Sequence, residues 1–123
     1  MAKTILVVDD SSTVRKLIIY SLGPNNYNFL EASDGMEALE KMSQNQVDLV
    51  IADLNMPKMD GIELIRTIRK SPSNRDAPVI MLTSQGDREL KKEKFEAGAN
   101  VYLVKPAPAH HLLLKVKSLL GEN

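Results

Sequence analysis

The chain has 123 residues, the length of one ordinary domain, enough to bury a single sizeable core. Sixteen Lys and Arg balance sixteen Asp and Glu, which argues against bulk attraction to nucleic acid or an anionic membrane. With no cysteine there is no disulfide, thiolate chemistry or Cys-based zinc site, and no apolar run is long enough to span a bilayer.

Ile5–Val8 is a short β-branched run that stops at Asp9-Asp10. Ser11 and Ser12 can cap a helix with Val14, Leu17, Ile18 and Leu22 at helical spacing, ended by Gly23-Pro24. Tyr27–Ala32 alternates imperfectly and carries Asn28 and Glu31, the pattern of a sheet edge. Asp34-Gly35-Met36-Glu37 has the form of a capping box, and Ala38, Leu39 and Met42 give the helix that follows an apolar stripe. Leu49–Ala52 is unbroken apolar sequence, as for a strand buried on both faces, and it ends at Asp53. A turn through Asn55 and Pro57 leads to a second capping box, Asp60–Glu63. The helix it opens turns Ile62, Ile65 and Ile68 inward and Arg66, Arg69 and Lys70 outward. After a polar loop, Ser71–Ala77, a fourth strand, Val79–Leu82, ends at Thr83-Ser84. Asp87 caps a strongly charged fourth helix, anchored by Leu90, Phe95 and Ala97 and stopped by Gly98. Val101–Val104 is the fifth strand, closed by Lys105-Pro106. Pro108 fits the first turn of a last helix whose apolar face is Leu112, Leu113, Val116, Leu119 and Leu120.

Strand and helix thus alternate five times, which predicts an α/β fold: a parallel sheet with right-handed crossovers and helices on both faces. In such sheets ligands bind beyond the carboxyl ends of the strands. That is where Asp9, Asp10, Asp53, Thr83 and Lys105 fall. A carboxylate at the end of a buried strand is costly unless paired, and two carboxylates about 4 Å apart repel by roughly 4 kcal/mol at an effective dielectric of 20. A hard divalent cation relieves that. Oxygen ligands alone favour magnesium, or manganese, over zinc. The chemistry that follows is nucleophilic. Asp53 attacks phosphorus to form an acyl phosphate, the metal and Lys105 stabilise the equatorial oxygens, and the Thr83 hydroxyl donates to one of them.

ILVVDD, DLNMPKMDG, MLTS and GANVYLVKP, in this order at strand ends, make the whole chain resemble the receiver domain of two-component response regulators, and most of all its stand-alone, CheY-like type. The resemblance implies a flavodoxin-like, doubly wound sheet with strand order 2-1-3-4-5. It implies Asp53 as phosphoacceptor, taking its phosphoryl group from a sensor histidine kinase or a histidine phosphotransfer protein. Asp10, Asp53 and the Asn55 backbone carbonyl would hold Mg2+, with Asp9 acting through water. Lys105 would pair with the phosphoryl group, and its peptide bond to Pro106 would be cis. Thr83 and Tyr102 would form a switch pair, and Asn55 and Gln85 would tune dephosphorylation. The fourth helix, fifth strand and fifth helix would present the output face to a downstream effector. The sequence departs from many relatives in placing Ala107-Pro108 where Phe often follows Lys-Pro, and in carrying His110-His111.

Each motif alone has a plainer reading: capping for Asp9-Asp10 and Thr83-Ser84, a turn for Asp53, a loop for Lys105-Pro106, edge packing for Tyr102, a solvated helix start for His110-His111. Their joint occurrence favours the switch. A magnesium-dependent phosphatase would want Asp where Asn55 stands. A flavin domain would want a Ser/Thr/Gly phosphate loop in place of Asp9-Asp10. A module that only binds partners would not need the acidic site. The start at Met1 and the lack of a trailing linker lead to the expectation of a single domain, residues 1–123. It would be cytoplasmic and monomeric until phosphorylated, with neither nucleic acid nor membrane as a direct partner. A phosphorelay intermediate and a fragment of a transcriptional regulator are the alternatives.

Overall fold

The computed structural model describes residues 2–56, 58–83 and 98–122. The fourth helix expected from Asp87 to Ala97, and with it Ser84, Gln85 and Pro57, lies outside the described residues.

Five strands, β1 (Thr4–Val8), β2 (Asn28–Ala32), β3 (Leu49–Asp53), β4 (Val79–Thr83) and β5 (Val101–Val104), pair in parallel in the order β2-β1-β3-β4-β5. The described helices are α1 (Ser12–Leu22), α2 (Gly35–Gln44), α3 (Gly61–Lys70) and α4 (Ala109–Leu119). The expected sheet and strand order are thus observed. The apolar runs are central because only there are both faces covered. β3 and β4 are buried at every position, whereas the edge strands β2 and β5 are partly exposed.

Period-two alternation sorts the core into two layers. Ile5, Val7, Leu49, Ile51, Ile80, Leu82 and Leu103 point toward α1 and α4, where they meet Ile18, Leu22, Leu112 and Val116. Leu6, Val8, Val50, Ala52, Val79 and Met81 point toward α2 and α3, where they meet Ala38, Met42, Ile62, Ile65 and Ile68.

Helix starts follow the sequence closely. Ser11, Asp34 and Asp60 are N-caps whose side chains accept from the backbone N–H of Val14, Glu37 and Glu63. Gly98 has φ +95°, the left-handed backbone expected at a helix stop.

Four local expectations need correction. Leu17 is 61% exposed, so α1 buries only Ile18 and Leu22 fully. Gly23-Pro24 does not end the helical path at once, because Gly23–Asn25 continues as a 3-10 turn before Asn26 turns left-handed at φ 62°. Pro108 caps α4 from outside it. Arg69 does not face solvent. It is half-buried, and its guanidinium donates to the carbonyls of Gly98, Ala77 and Arg75 and to Asn100 Oδ1, stitching α3 to the starts of β4 and β5. Burial pulls its pKa down against the pull of Asp76.

Candidate functional site

The carboxyl edge of the sheet collects the polar residues. Asp9 follows β1, Asp53 ends β3, Thr83 ends β4 and Lys105 follows β5. Asp9 is 1% exposed and Asp53 7%, while Asp10 is exposed. One carboxylate oxygen from each of the three aspartates lies within 4.8 Å of the others. Lys105 reaches this cluster from two strands away. Its Nζ donates to Asp9 Oδ2 at 2.9 Å and lies 3.2 Å from Asp53 Oδ2. The Lys105–Pro106 peptide bond is cis.

The electrostatics follow from that packing. Burial raises the Asp53 pKa, Lys105 lowers it, and the Asp9 charge raises it again, leaving the carboxyl above its ordinary value. Burial alone would lower the Lys105 ammonium. Its hydrogen bond to Asp9 and the charges of Asp53 and Asp9 outweigh that, and its pKa is raised.

The cradle under Asp53 is tight. The Asn55 N–H donates to Asp53 Oδ1 at 3.3 Å, and the Gly61 N–H donates to the Leu54 carbonyl at 2.9 Å. A Cβ at Gly61 would lie 2.7 Å from the Asp53 carbonyl oxygen and 2.9 Å from Leu54 Cα, so only glycine lets α3 start this close to the end of β3. In the sequence the Asp60-Gly61 pair reads as a helix start; a glycine one residue past an N-cap, next to the Asp53 turn, is the signal of the close approach.

Alternation also divides the candidate residues. Asp53 and Lys105 continue the rows Leu49-Ile51 and Val101-Leu103 on the α1/α4 side. Thr83, buried, continues Val79-Met81, and Tyr102 packs against the same α2/α3 layer. Thr83 and Tyr102 therefore extend the α2/α3 face and Asp53 and Lys105 the α1/α4 face, while Asp53 and Thr83 both sit at the carboxyl ends of neighbouring strands. Burial raises the Tyr102 phenol pKa, opposed by a backbone hydrogen bond at Ala99. His110 and His111 are exposed at the start of α4, away from any cluster of ligands among the described residues.

The aspartate cluster fits a hard divalent cation. Its donors are all oxygen, they converge, and two of the three carboxylates are too buried to be screened by water. Asp9 engages Oδ1 with the Ser11 N–H and Oδ2 with Lys105, and Asp53 engages Oδ1 with the Asn55 N–H and Oδ2 with Lys105, so the exposed Asp10 is the carboxylate most open to a cation.

A parallel sheet ordered β2-β1-β3-β4-β5, with three aspartates and one lysine at its carboxyl edge, places the chain in the class of flavodoxin-like, doubly wound α/β domains. The chain belongs to the response regulator receiver domain family, whose sequence pattern it matches over residues 5–117. It is 42% identical over 116 residues to the transcriptional regulatory protein ResD of Bacillus subtilis (strain 168), covering 94% of this chain and 47% of ResD. It is 38% identical over 120 residues to the transcriptional regulatory protein SrrA of Staphylococcus aureus (strain NCTC 8325 / PS 47), covering 98% of this chain and 48% of SrrA. The chain thus spans about half the length of these relatives. Among solved structures it is similar to the chemotaxis response regulator CheY4 of Vibrio cholerae, with a TM-score of 0.90 and 34% identity over 98% of this chain and 100% of CheY4. It is also similar to the signal receiver domain of a signal transduction histidine kinase from Syntrophus aciditrophicus, with a TM-score of 0.92 and 35% identity over 98% and 91% of the two chains. Receiver domains are signalling modules rather than classical enzymes. No helix among the described residues is long and apolar enough to cross a membrane.

Proposed function

We propose that residues 1–123 form one receiver domain that works as a phosphorylation-activated switch, with Asp53 as phosphoacceptor. The observation that carries this reading is the Lys105 ammonium, within hydrogen-bonding reach of Asp9 and Asp53 beside an all-oxygen aspartate cluster. An Asp53 oxygen attacks the phosphorus of a phosphohistidine on a sensor kinase or a histidine phosphotransfer protein. The P–N bond breaks, its electron pair stays on the imidazole nitrogen, and an acyl phosphate remains on Asp53. Mg2+, or Mn2+, held by Asp10, Asp53 and the Asn55 carbonyl with Asp9 behind them, would supply neutralisation of the equatorial oxygens.

Lys105 follows the charge from carboxylate to phosphoryl group, and the Thr83 hydroxyl donates to a second phosphoryl oxygen. The modification adds roughly −1.5 to −2 charges. Near-complete switching needs about 5.5 kcal/mol of differential stabilisation, which the Thr83 and Lys105 contacts would supply. Tyr102, in the same layer as Thr83, relays the change to a downstream effector at the surface around β5 and α4, where Val104 and Leu114 are exposed. Hydrolysis of the acyl phosphate resets the domain. A kinase-coupled role of this kind is cytoplasmic, and the unphosphorylated domain is a monomer.

Incubation with acetyl phosphate and Mg2+ tests this reading. The protein takes up one phosphoryl group and Asp53→Ala takes up none; full labelling of that variant at another residue removes Asp53 from its role. A second reading, the receiver part of a transcriptional regulator, is favoured by the half-length match to ResD and SrrA, whereas the full-length match to CheY4 favours a chemotaxis or motility output. A pull-down with the beryllofluoride-activated protein separates the two by what it captures.

A further inference from the structure

We propose that Arg15 is a positioning residue for the divalent-cation site and that Glu31 holds it in place. The inference rests on the cation reading of the aspartate cluster and adds to it the device that aims the Asp9-Asp10 turn. Arg15 Nη1 donates to the Asp9 carbonyl oxygen at 2.5 Å, and its Nε donates to Glu31 Oε1 at 2.9 Å. The other oxygen of Glu31 pairs with Lys16 Nζ. One guanidinium thus joins α1, β2 and the turn that follows β1.

The consequence is geometric. A peptide unit is planar, so fixing the Asp9 carbonyl fixes the plane that carries the Asp10 nitrogen and sets the direction in which Asp10 leaves the turn. The rest of Asp9 is pinned as well. Its N–H donates to the Ala32 carbonyl at 3.1 Å, Oδ1 accepts from the Ser11 N–H at 2.9 Å, and Oδ2 accepts from Lys105. Asp10 is exposed, so its aim depends on the plane that Arg15 holds.

Charge is arranged to match. The guanidinium side chain is 15% exposed, and the carboxylate it pairs with is that of Glu31. Arg15 can therefore orient the turn without competing, as a cation, for the aspartates. The hydrogen bond from Lys16, together with Arg15, outweighs burial and lowers the Glu31 pKa, keeping Glu31 ionised as the anchor. Arginine suits the task because its fork serves two acceptors at a fixed angle; a lysine ammonium on a flexible stem would have to favour one.

The test is titration calorimetry with MgCl2 on the full chain, with urea unfolding in EDTA as the separate measure of structural damage. Groups that orient metal ligands typically change metal affinity by about tenfold or more when removed. Arg15→Met is expected to weaken Mg2+ binding about tenfold, with Arg15→Lys between it and the unsubstituted protein. Lys16→Met, which removes the exposed partner of Glu31 and leaves the Asp9 carbonyl bond alone, is expected to stay within about twofold. If Arg15→Met does not fold, Arg15→Lys decides the matter by the same affinity ratio. Absence of Mg2+ uptake by the unsubstituted protein overturns the cation reading, and this inference with it. Uptake that the folded arginine variants leave unchanged overturns this inference alone.

Discussion

Lys105 and Asp9 stand 96 residues apart in sequence, yet a 2.9 Å hydrogen bond joins them at the mouth of the sheet. The same ammonium lies 3.2 Å from Asp53, so it sits where a divalent cation would draw the carboxylates together. Lysine and metal therefore compete for the same negative charge. Lys105→Met is expected to tighten Mg2+ binding by about threefold to tenfold, since the mutual repulsion of the acids is then relieved only by metal. Without metal the variant is expected to be less stable, because two buried acids lose their partner. Calorimetry with MgCl2, and thermal melts with and without EDTA, check both halves.

Asp53 is buried at a cost in its ionised form. Its pKa in the folded state lies above the ordinary value, with burial the largest cause. A group raised in this way contributes stability that is fully present below its unfolded pKa and lost as pH rises through the folded one. At neutral pH the ionised carboxylate is therefore a net burden. Asp53→Asn, in EDTA, is expected to raise the melting temperature at pH 7 by about 3–5 °C, for a gain of about 1 kcal/mol. The difference should shrink as pH falls through the carboxylate range, where the native residue also becomes neutral. An Asp53→Asn melting temperature below that of the unsubstituted protein at pH 7 would contradict the assignment.

The strand-end residues were legible because an apolar run announces a buried strand and the residue that breaks it announces the edge. Leu49–Ala52 broken by Asp53, and Val101–Val104 broken by Lys105, needed no knowledge of the fold. Arg69 was not legible, since helical periodicity on α3 says only that it lies off the apolar stripe. That the starts of β4 and β5 come to meet it is a property of the sheet. Arg15 was hidden in the same way, because its acceptors lie on β2 and on the turn before α1. Leu17 shows the converse: its spacing is that of a core position, but no helix or strand among the described residues covers that side of α1, and it stays exposed.

Gly61 and Gly23 make a controlled comparison. Neither has a positive φ, so backbone freedom is not what either position requires. A Cβ at Gly61 would meet the Asp53 carbonyl oxygen and Met81 Sδ at 2.7 Å each, whereas a Cβ at Gly23 would meet nothing within 4 Å. Gly61→Ala is expected to cost about 1–3 kcal/mol through overpacking. Because the clash is with the backbone of Asp53 itself, it should also slow labelling by acetyl phosphate. Gly23→Ala is expected to be neutral or to stabilise by about 0.4–1 kcal/mol, through the unfolded chain. Urea unfolding of the two variants in parallel checks the contrast.

Tyr27 ties the end of the chain to the sheet, far from the aspartates. Its hydroxyl donates to Glu122 Oε1 at 2.7 Å, and its ring stands edge-on to Phe29. Burial, the hydrogen bond and the Glu122 charge together push its pKa from 10.0 up to about 12. The tie therefore contributes stability that is fully present below the phenol's unfolded pKa and is lost as pH rises from about 10 toward about 12. Ultraviolet titration of the phenolates is expected to show a late component that Tyr27→Phe removes and Glu122→Gln shifts to lower pH. At neutral pH Tyr27→Phe is expected to cost about 1 kcal/mol, the net worth of one hydrogen bond. Labelling by acetyl phosphate should be unchanged in that variant, since the tie lies among the starts of the strands and the aspartates lie at their ends.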